Sequence, residues 1–282
     1  MFHANPAILY RLSPAAAAET EVQAAGGNLY NRAVIEAEAI PYEAGELRGE
    51  RLLVLAPHPD DEVIGCGGIL ALHLSEGRAV RVLIATDGAA QSGGDPTRRE
   101  EESRRGLAHL GSAELEFLRF PDRGLDGTVA DPIRAHLLEF RPDLVLVPSA
   151  AEIHPDHIAL SRAFHELVQR DETLFGDLAV ARVAFYEVSH PLRPNILVDI
   201  TSVAEKKWAA IAEHTSQTGV RDYTAYARGL NAYRTMTLPA AVKYAEAYHV
   251  VGLPSLRATS FASLRNTISA PPAVVVEEQT VP

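Results

Sequence analysis

The chain has 282 residues, a length for one large domain or two small ones, and its 47% hydrophobic and 22% charged content is that of a soluble globular protein. A net charge of -11 argues against nucleic acid or an anionic membrane surface as the main partner. Cys66 is the only cysteine, which excludes an intrachain disulfide and a cysteine-built metal cage and fits a reducing interior.

Residues 1–48 read as an N-terminal extension, with a short helix expected from Ser13, where a serine can cap the free amides of a first turn. The opening "MFHANPAILYRLSPAAAAET" has no basic stretch ahead of a continuous apolar one, so no secretory leader is expected. Nowhere do about 18 apolar residues run together, so no membrane span is expected and the cytoplasm is the expected compartment.

From Gly49 the chain alternates strand and helix. "RLLVLAP" is a continuous apolar run, the pattern of a strand buried on both faces. "VIGCGGILALHLSEG" follows as a helix ended by Gly77. "AVRVLIAT" is a strand, and "DPTRREEESRRGLAHLG" a helix closed by Gly111. "ELEFLRF" and "DLVLVPS" are the third and fourth strands, with the helix "DPIRAHLLEFRPD" between them. A helix is expected from Pro155 to Gln169, strands at "ARVAFYEV" and "NILVDI", a helix from Ser202 to His214, mostly helix from Tyr223 to Ala247, and a short strand in "AYHVV". This alternation predicts an α/β fold over residues 49–255, a Rossmann-like three-layer sandwich with a mostly parallel sheet. Residues 256–282, ending in the proline-rich "NTISAPPAVVVEEQTVP", are expected to form an extended or disordered tail.

In open parallel sheets, ligands bind beyond the carboxyl ends of the strands, so the active site is expected there. The unusual polar residues fall at those ends. His58, Asp60, Asp61 and Glu62 follow the first strand, Asp87 the second, Asp122 and Arg123 the third, and Glu152, His154, Asp156 and His157 the fourth. His58, Asp61 and His157 supply two imidazoles and one carboxylate, a three-ligand set with an open position that suits catalytic zinc. Bound zinc lowers the pKa of a water in that position to about 7. Asp60 stands beside a ligand, where it can take a proton from that water. His154, three residues before His157, can stabilise an oxyanion or donate to a leaving amine, and Asp156 can hold the His154 ring in one tautomer. Asp87, in "TDG", is either a turn residue or a substrate contact. Two histidines and a carboxylate also match a non-haem iron(II) site, but such an oxygenase needs an antiparallel barrel. A dinucleotide-binding oxidoreductase is disfavoured, because "GCGG" lacks the full glycine fingerprint and the acids before it would repel a pyrophosphate.

"APHPDDE" followed by "HPDH" resembles the PIG-L (LmbE-like) family of zinc-dependent N-acetyl-sugar deacetylases. Further likenesses are "TDG", Arg99 and Glu102 before "LG", "FPD", "VDIT…K" from Val198 to Lys206, "EHTSQ" near His214 and "AEAYHV" near Glu246. The resemblance implies His58, Asp61 and His157 as metal ligands, Asp60 as general base, and His154 at the tetrahedral intermediate. It implies Arg99 and Asp122 as sugar contacts. The implied cofactor is Zn2+ or another divalent metal such as Fe2+, and the implied partner is a small N-acetyl sugar, with a homo-oligomer left open. One departure is Glu152, where some members carry a tyrosine that helps bind the oxyanion. The resemblance also leaves open an amidase acting on a larger acyl or conjugate amide, or a sugar-binding module without catalysis. The loops Gln91–Pro96 and Tyr223–Met236 are expected to shape substrate choice.

Overall fold

The computed structural model describes residues 42–90, 95–178 and 181–269. The expected helix at Ser13, the start of the Gln91 loop and the proline-rich end of the chain lie outside them. Eight strands form one sheet: β1 (Glu43–Ala44), β2 (Arg51–Ala56), β3 (Ala79–Thr86), β4 (Glu114–Phe120), β5 (Leu144–Pro148), β6 (Arg182–Tyr186), β7 (Ile196–Asp199) and β8 (Ala245–Gly252). Their spatial order is β1-β7-β8-β6-β5-β2-β3-β4. All pairings are parallel except those of β8 with β6 and β7. This is the expected mostly parallel α/β sheet, and it is open, unlike the barrel that an iron oxygenase needs.

Helices cover both faces. On one side lie α1 (Asp61–Ser75), α2 (Pro96–Leu110), α6 (Ala204–Ala212) and α8 (Tyr223–Tyr233); the short α7 (Thr215–Thr218) links the last two. On the other lie α3 (Ala130–Phe140), α4 (Pro155–Arg170), α5 (Glu172–Leu178), α9 (Leu253–Ala258) and α10 (Phe261–Ser269). The central strand shows why both faces need cover. Leu52, Val54 and Ala56 of β2 pack with Val63, Cys66 and Ile69 of α1. Leu53 and Leu55 pack with Leu160 and Phe164 of α4. The side chains alternate as a strand requires, and both sets are apolar.

Three boundaries differ from expectation. β1 pairs with β7, so the last residues of the N-terminal extension join the sheet edge. The helix from Tyr223 ends at Tyr233, and β8 begins at Ala245. The expected tail beginning at Leu256 instead carries α10, whose Phe261, Leu264 and Ile268 are buried in the α4 core. Their i, i+3, i+7 spacing is the periodic signal, masked by the prolines that follow.

The topology positions the site. From β2 the chain steps outward through β3 to β4, then returns to pair β5 against the other side of β2. The crevice outside the carboxyl ends of β2 and β5 lies at that switch point. α1 sits close to the sheet there because of its glycines. A Cβ on Gly65 would stand 2.4 Å from the Tyr186 ring, and one on Gly68 2.4 Å from Ile200. A buried brace fixes the same helix: Glu246 of β8 accepts the N–H groups of Gly68 and Ile69 at 2.7 and 2.9 Å. Lys207 and Tyr248 donate to the same carboxylate, each at 2.7 Å.

Candidate metal centre

The loop after β2 turns sharply into α1. Asp60 is the residue before the helix, with φ 140° and ψ -28°, a left-handed conformation unusual for any residue with a side chain. Its carbonyl accepts from Val63 and Ile64, and its N–H donates to Glu62 Oε2 at 2.9 Å. Its carboxylate makes no capping bond and is left for the site. The second half comes from the turn after β5. His154 precedes α4, Pro155 takes the first helical position, and Nδ1 of His154 accepts the Asp156 N–H at 3.3 Å. That bond sets the His154 tautomer with its proton on Nε2.

The two halves converge. Asp61 Oδ2 lies 3.0 Å from Nδ1 of His58 and 3.1 Å from Nε2 of His157, and those two nitrogens are 3.3 Å apart. Donors about 2.0–2.1 Å from a tetrahedral ion stand about 3.3 Å from one another, so these three atoms fit one metal ion. The other ring nitrogen of each histidine faces an acid. Nε2 of His58 is 3.1 Å from Asp156 Oδ2 and 3.4 Å from Asp122 Oδ1. Nδ1 of His157 is 3.6 Å from Glu152 Oε2. Carboxylates behind imidazole ligands fix their tautomer and raise their basicity.

The charges of the cluster divide its groups. Burial opposes a charge on either histidine, yet the surrounding acids, Asp61 foremost for His157, raise both, His157 to about 9. Burial alone would raise the Asp61 carboxyl, but the two imidazoles hold it far below its usual range. Such a cluster seeks positive charge, which protons or a cation can supply. Asp60 behaves differently. Burial raises it to about 7 against the pull of Arg99, whose Nη2 is 3.3 Å away. Burial, with His58 and His157 as like charges, lowers the pKa of His154.

A notch of about 80 Å³ opens beside these groups. His58, Asp60, Asp61, Arg99, Asp122, His154 and His157 line it, so the structure brings these sequence candidates together. Two candidates stand elsewhere. Asp156 does not hold the His154 ring with its carboxylate; it accepts from Arg123 and Leu125 N–H and faces His58. Asp87 does not line the notch; its Oδ1 accepts the N–H of Ala89 and of Asp122 at 3.0 and 3.1 Å, which fixes the Asp122 loop. Arg99 lines the notch but is only 3% exposed, and it is tied to the carbonyls of Gly88 and Pro59 as well as to Asp60.

Other residues had no assigned place. Glu152 is fully buried and turned from the notch; its Oε1 accepts the N–H groups of Val188, Ser189 and His190 at 2.7, 2.9 and 3.2 Å. It therefore braces His157 and does not stand in for an oxyanion-binding tyrosine. Gln217 and Tyr223 line the notch from α7 and α8. Gln217 closes the "EHTSQ" segment and Tyr223 opens the segment expected to shape substrate choice, but neither was assigned to the site, because long-range packing carries them there. Glu62 lies beneath Asp60, raised to about 8 by burial, with Oε1 3.9 Å from Nε2 of His214.

Known proteins resemble this chain in sequence and fold. The sequence pattern of the GlcNAc-PI de-N-acetylase (PIG-L) family matches residues 53–168. Diacetylchitobiose deacetylase of Thermococcus kodakarensis is 32% identical over 190 residues, which cover 60% of this chain and 70% of that one. The conserved protein TT1542 of Thermus thermophilus superposes with a TM-score of 0.64 at 35% identity, covering 70% of this chain and 93% of the other. N,N'-diacetylchitobiose deacetylase of Pyrococcus horikoshii superposes with a TM-score of 0.64 at 25% identity, over 77% and 89%. The matched family span starts inside β2 and ends inside α4, and so carries both halves of the convergent site: the chain belongs to the PIG-L family.

Proposed function

We propose that the chain is a zinc-dependent deacetylase of a small molecule containing N-acetylglucosamine. The observation that carries this reading is the convergence of His58 Nδ1, Asp61 Oδ2 and His157 Nε2 within 3.3 Å of one another, with a separate acid, Asp60, beside them. Family membership and the deacetylase relatives support the same chemistry. Two imidazoles and one carboxylate with an open position suit zinc, and iron(II) shares that donor preference. When bound, the ion supplies Lewis acidity and lowers the pKa of a coordinated water to about 7.

The residues divide the remaining work. Asp60 takes a proton from the water that attacks the amide carbonyl. Arg99 and the bond from the Asp60 N–H to Glu62 hold that carboxylate in place. The Nε2–H of His154 donates to the carbonyl oxygen as it gains negative charge. The proton held by Asp60 then passes to the nitrogen as the C–N bond breaks; the acid formed gives its remaining proton to the amine, and acetate and the ammonium product leave. Asp122 lines the notch and is the proposed contact to a sugar hydroxyl. Among the described residues no helix is long and apolar enough to cross a membrane. The test is acetate release from small N-acetylglucosaminides by the zinc-loaded protein. Release that stops on chelation and returns with zinc supports the reading; no release from any such compound overturns it.

A further inference from the structure

The notch is too small for a whole glycoside. A second cavity of about 740 Å³, within the size range of sites for small organic ligands, adjoins it. The two share Ile64, Val188, Ser189, Gln217 and Tyr223 as lining, so whatever is cleaved in the notch extends into the larger space. The character of its walls sets what that part of the substrate can be.

One wall is α8. Tyr223, Tyr226, Ala227 and Leu230 line the cavity from this helix, at the i, i+3, i+4, i+7 spacing of one helical face. A face of that kind ordinarily packs against protein. Here Tyr226 is 63% exposed, and across the cavity Val220 and Ile153 are 86% and 69% exposed. The charged groups on the wall are mostly spent. Glu187 is held by Arg234 and by the Leu192 N–H, and Glu246 by Lys207, Tyr248 and α1. Asn231 is engaged with Lys207 and the Ala245 carbonyl. Arg221 alone among the charged lining residues has no side-chain partner within the described structure, and it is exposed.

We infer that this cavity is the aglycone subsite and that it takes an alkyl or aryl aglycone, not a charged one. The inference rests on the proposed deacetylation, which places the acetyl group in the notch and leaves the aglycone for the larger space. An apolar chain gains from leaving water against Tyr226, Val220, Leu230 and Ile153, whereas a carboxylate laid on that face loses hydration and finds a single exposed guanidinium, Arg221.

The test compares four compounds with the full-length, zinc-loaded protein: the methyl, hexyl and 5-carboxypentyl glycosides of N-acetylglucosamine, and methyl N-hexanoylglucosaminide. Each methylene buried is worth about fourfold in binding. The hexyl glycoside is therefore expected to exceed the methyl glycoside at least tenfold in kcat/KM, carried by KM. That ratio is expected to shrink severalfold in Tyr226→Ala, and the carboxypentyl glycoside to lose most of the gain. Equal kcat/KM for methyl and hexyl overturns the inference and leaves deacetylation standing. Preference for the carboxypentyl glycoside, or for the N-hexanoyl compound, also overturns it, the latter by assigning the space to the acyl group. No turnover of any compound removes the deacetylase reading, and this inference with it.

Discussion

Glu152 Oε2 stands 3.6 Å from Nδ1 of His157, and both atoms are buried with no hydrogen-bond partner among the described residues, so each is the nearest polar complement of the other. The other oxygen of the same carboxylate collects three backbone N–H groups from residues 188–190. Glu152 thus fixes the ring that faces Asp61 and the loop that walls the notch. In Glu152→Gln the amide oxygen can keep the loop, but its N–H2 then faces Nδ1 and favours the tautomer with a proton on Nε2. Metal affinity is expected to fall about 10–100-fold. Competition against a chelator of known affinity measures this, and an unchanged dissociation constant would mean that the carboxylate only braces the loop.

The second prediction concerns Glu62, whose Oε2 accepts the Asp60 N–H at 2.9 Å and holds a backbone conformation that residues with side chains rarely adopt. Glu62→Ala removes the acceptor and lets Asp60 relax. We expect kcat to fall about 100-fold, the size of effect that a misplaced catalytic group produces, with metal content retained. Glu62→Gln keeps an acceptor and should recover most of the rate. Equal losses in both variants would show that the charge or acidity of Glu62 matters, and not the bond to Asp60.

Acid stability gives a third. Burial lowers His214 to about 4 in the folded chain, from 6.5 as its ordinary value. Between these values the unfolded chain binds the proton and the folded chain does not. Stability from this residue is therefore complete above pH 6.5 and is lost as pH falls towards 4, by roughly 3 kcal/mol. Urea titrations at pH 6.5, 5.5 and 4.5 should show this fall in the parent and a flatter dependence in His214→Gln. Parallel curves for the two proteins would mean that His214 is not the group that sets the acid limb.

A fourth follows from the close approach of α1. With a Cβ 2.4 Å from the Tyr186 ring, Gly65→Ala must shift helix or ring and is expected to cost about 1–3 kcal/mol. A chemical denaturation midpoint equal to that of the parent would show that the helix moves freely.

The fold was legible because a sheet covered on both faces writes its central strands as short apolar runs, as in β2 and β5, while the edge strand β4 alternates charged and apolar residues. The two-residue β1 does not, since it is defined by its pairing with β7 and not by its own composition. The candidate site was legible because each half of it is local: His58, Asp60 and Asp61 share one turn, and His154 and His157 another. Residues that act across the fold were not. Glu152 read as a replaced tyrosine because sequence gives its identity but not its direction. Lys207, not Lys206, is the buried partner of Glu246, a choice made by helical phase. Glu102 and the "EHTSQ" segment proved to be one brace, with Glu102 accepting from Thr215 and Ser216.

The division of labour between two adjacent acids is the centre of the proposed chemistry, with Asp61 facing both histidines and Asp60 facing Arg99 and the notch. Asp60→Asn tests it most directly when zinc content and acetate release are measured on the same sample. One equivalent of zinc with acetate release lowered by about three orders of magnitude or more is the predicted result, in line with loss of a general base. Zinc bound with full acetate release, or zinc lost while Asp61→Asn retains it, would contradict it.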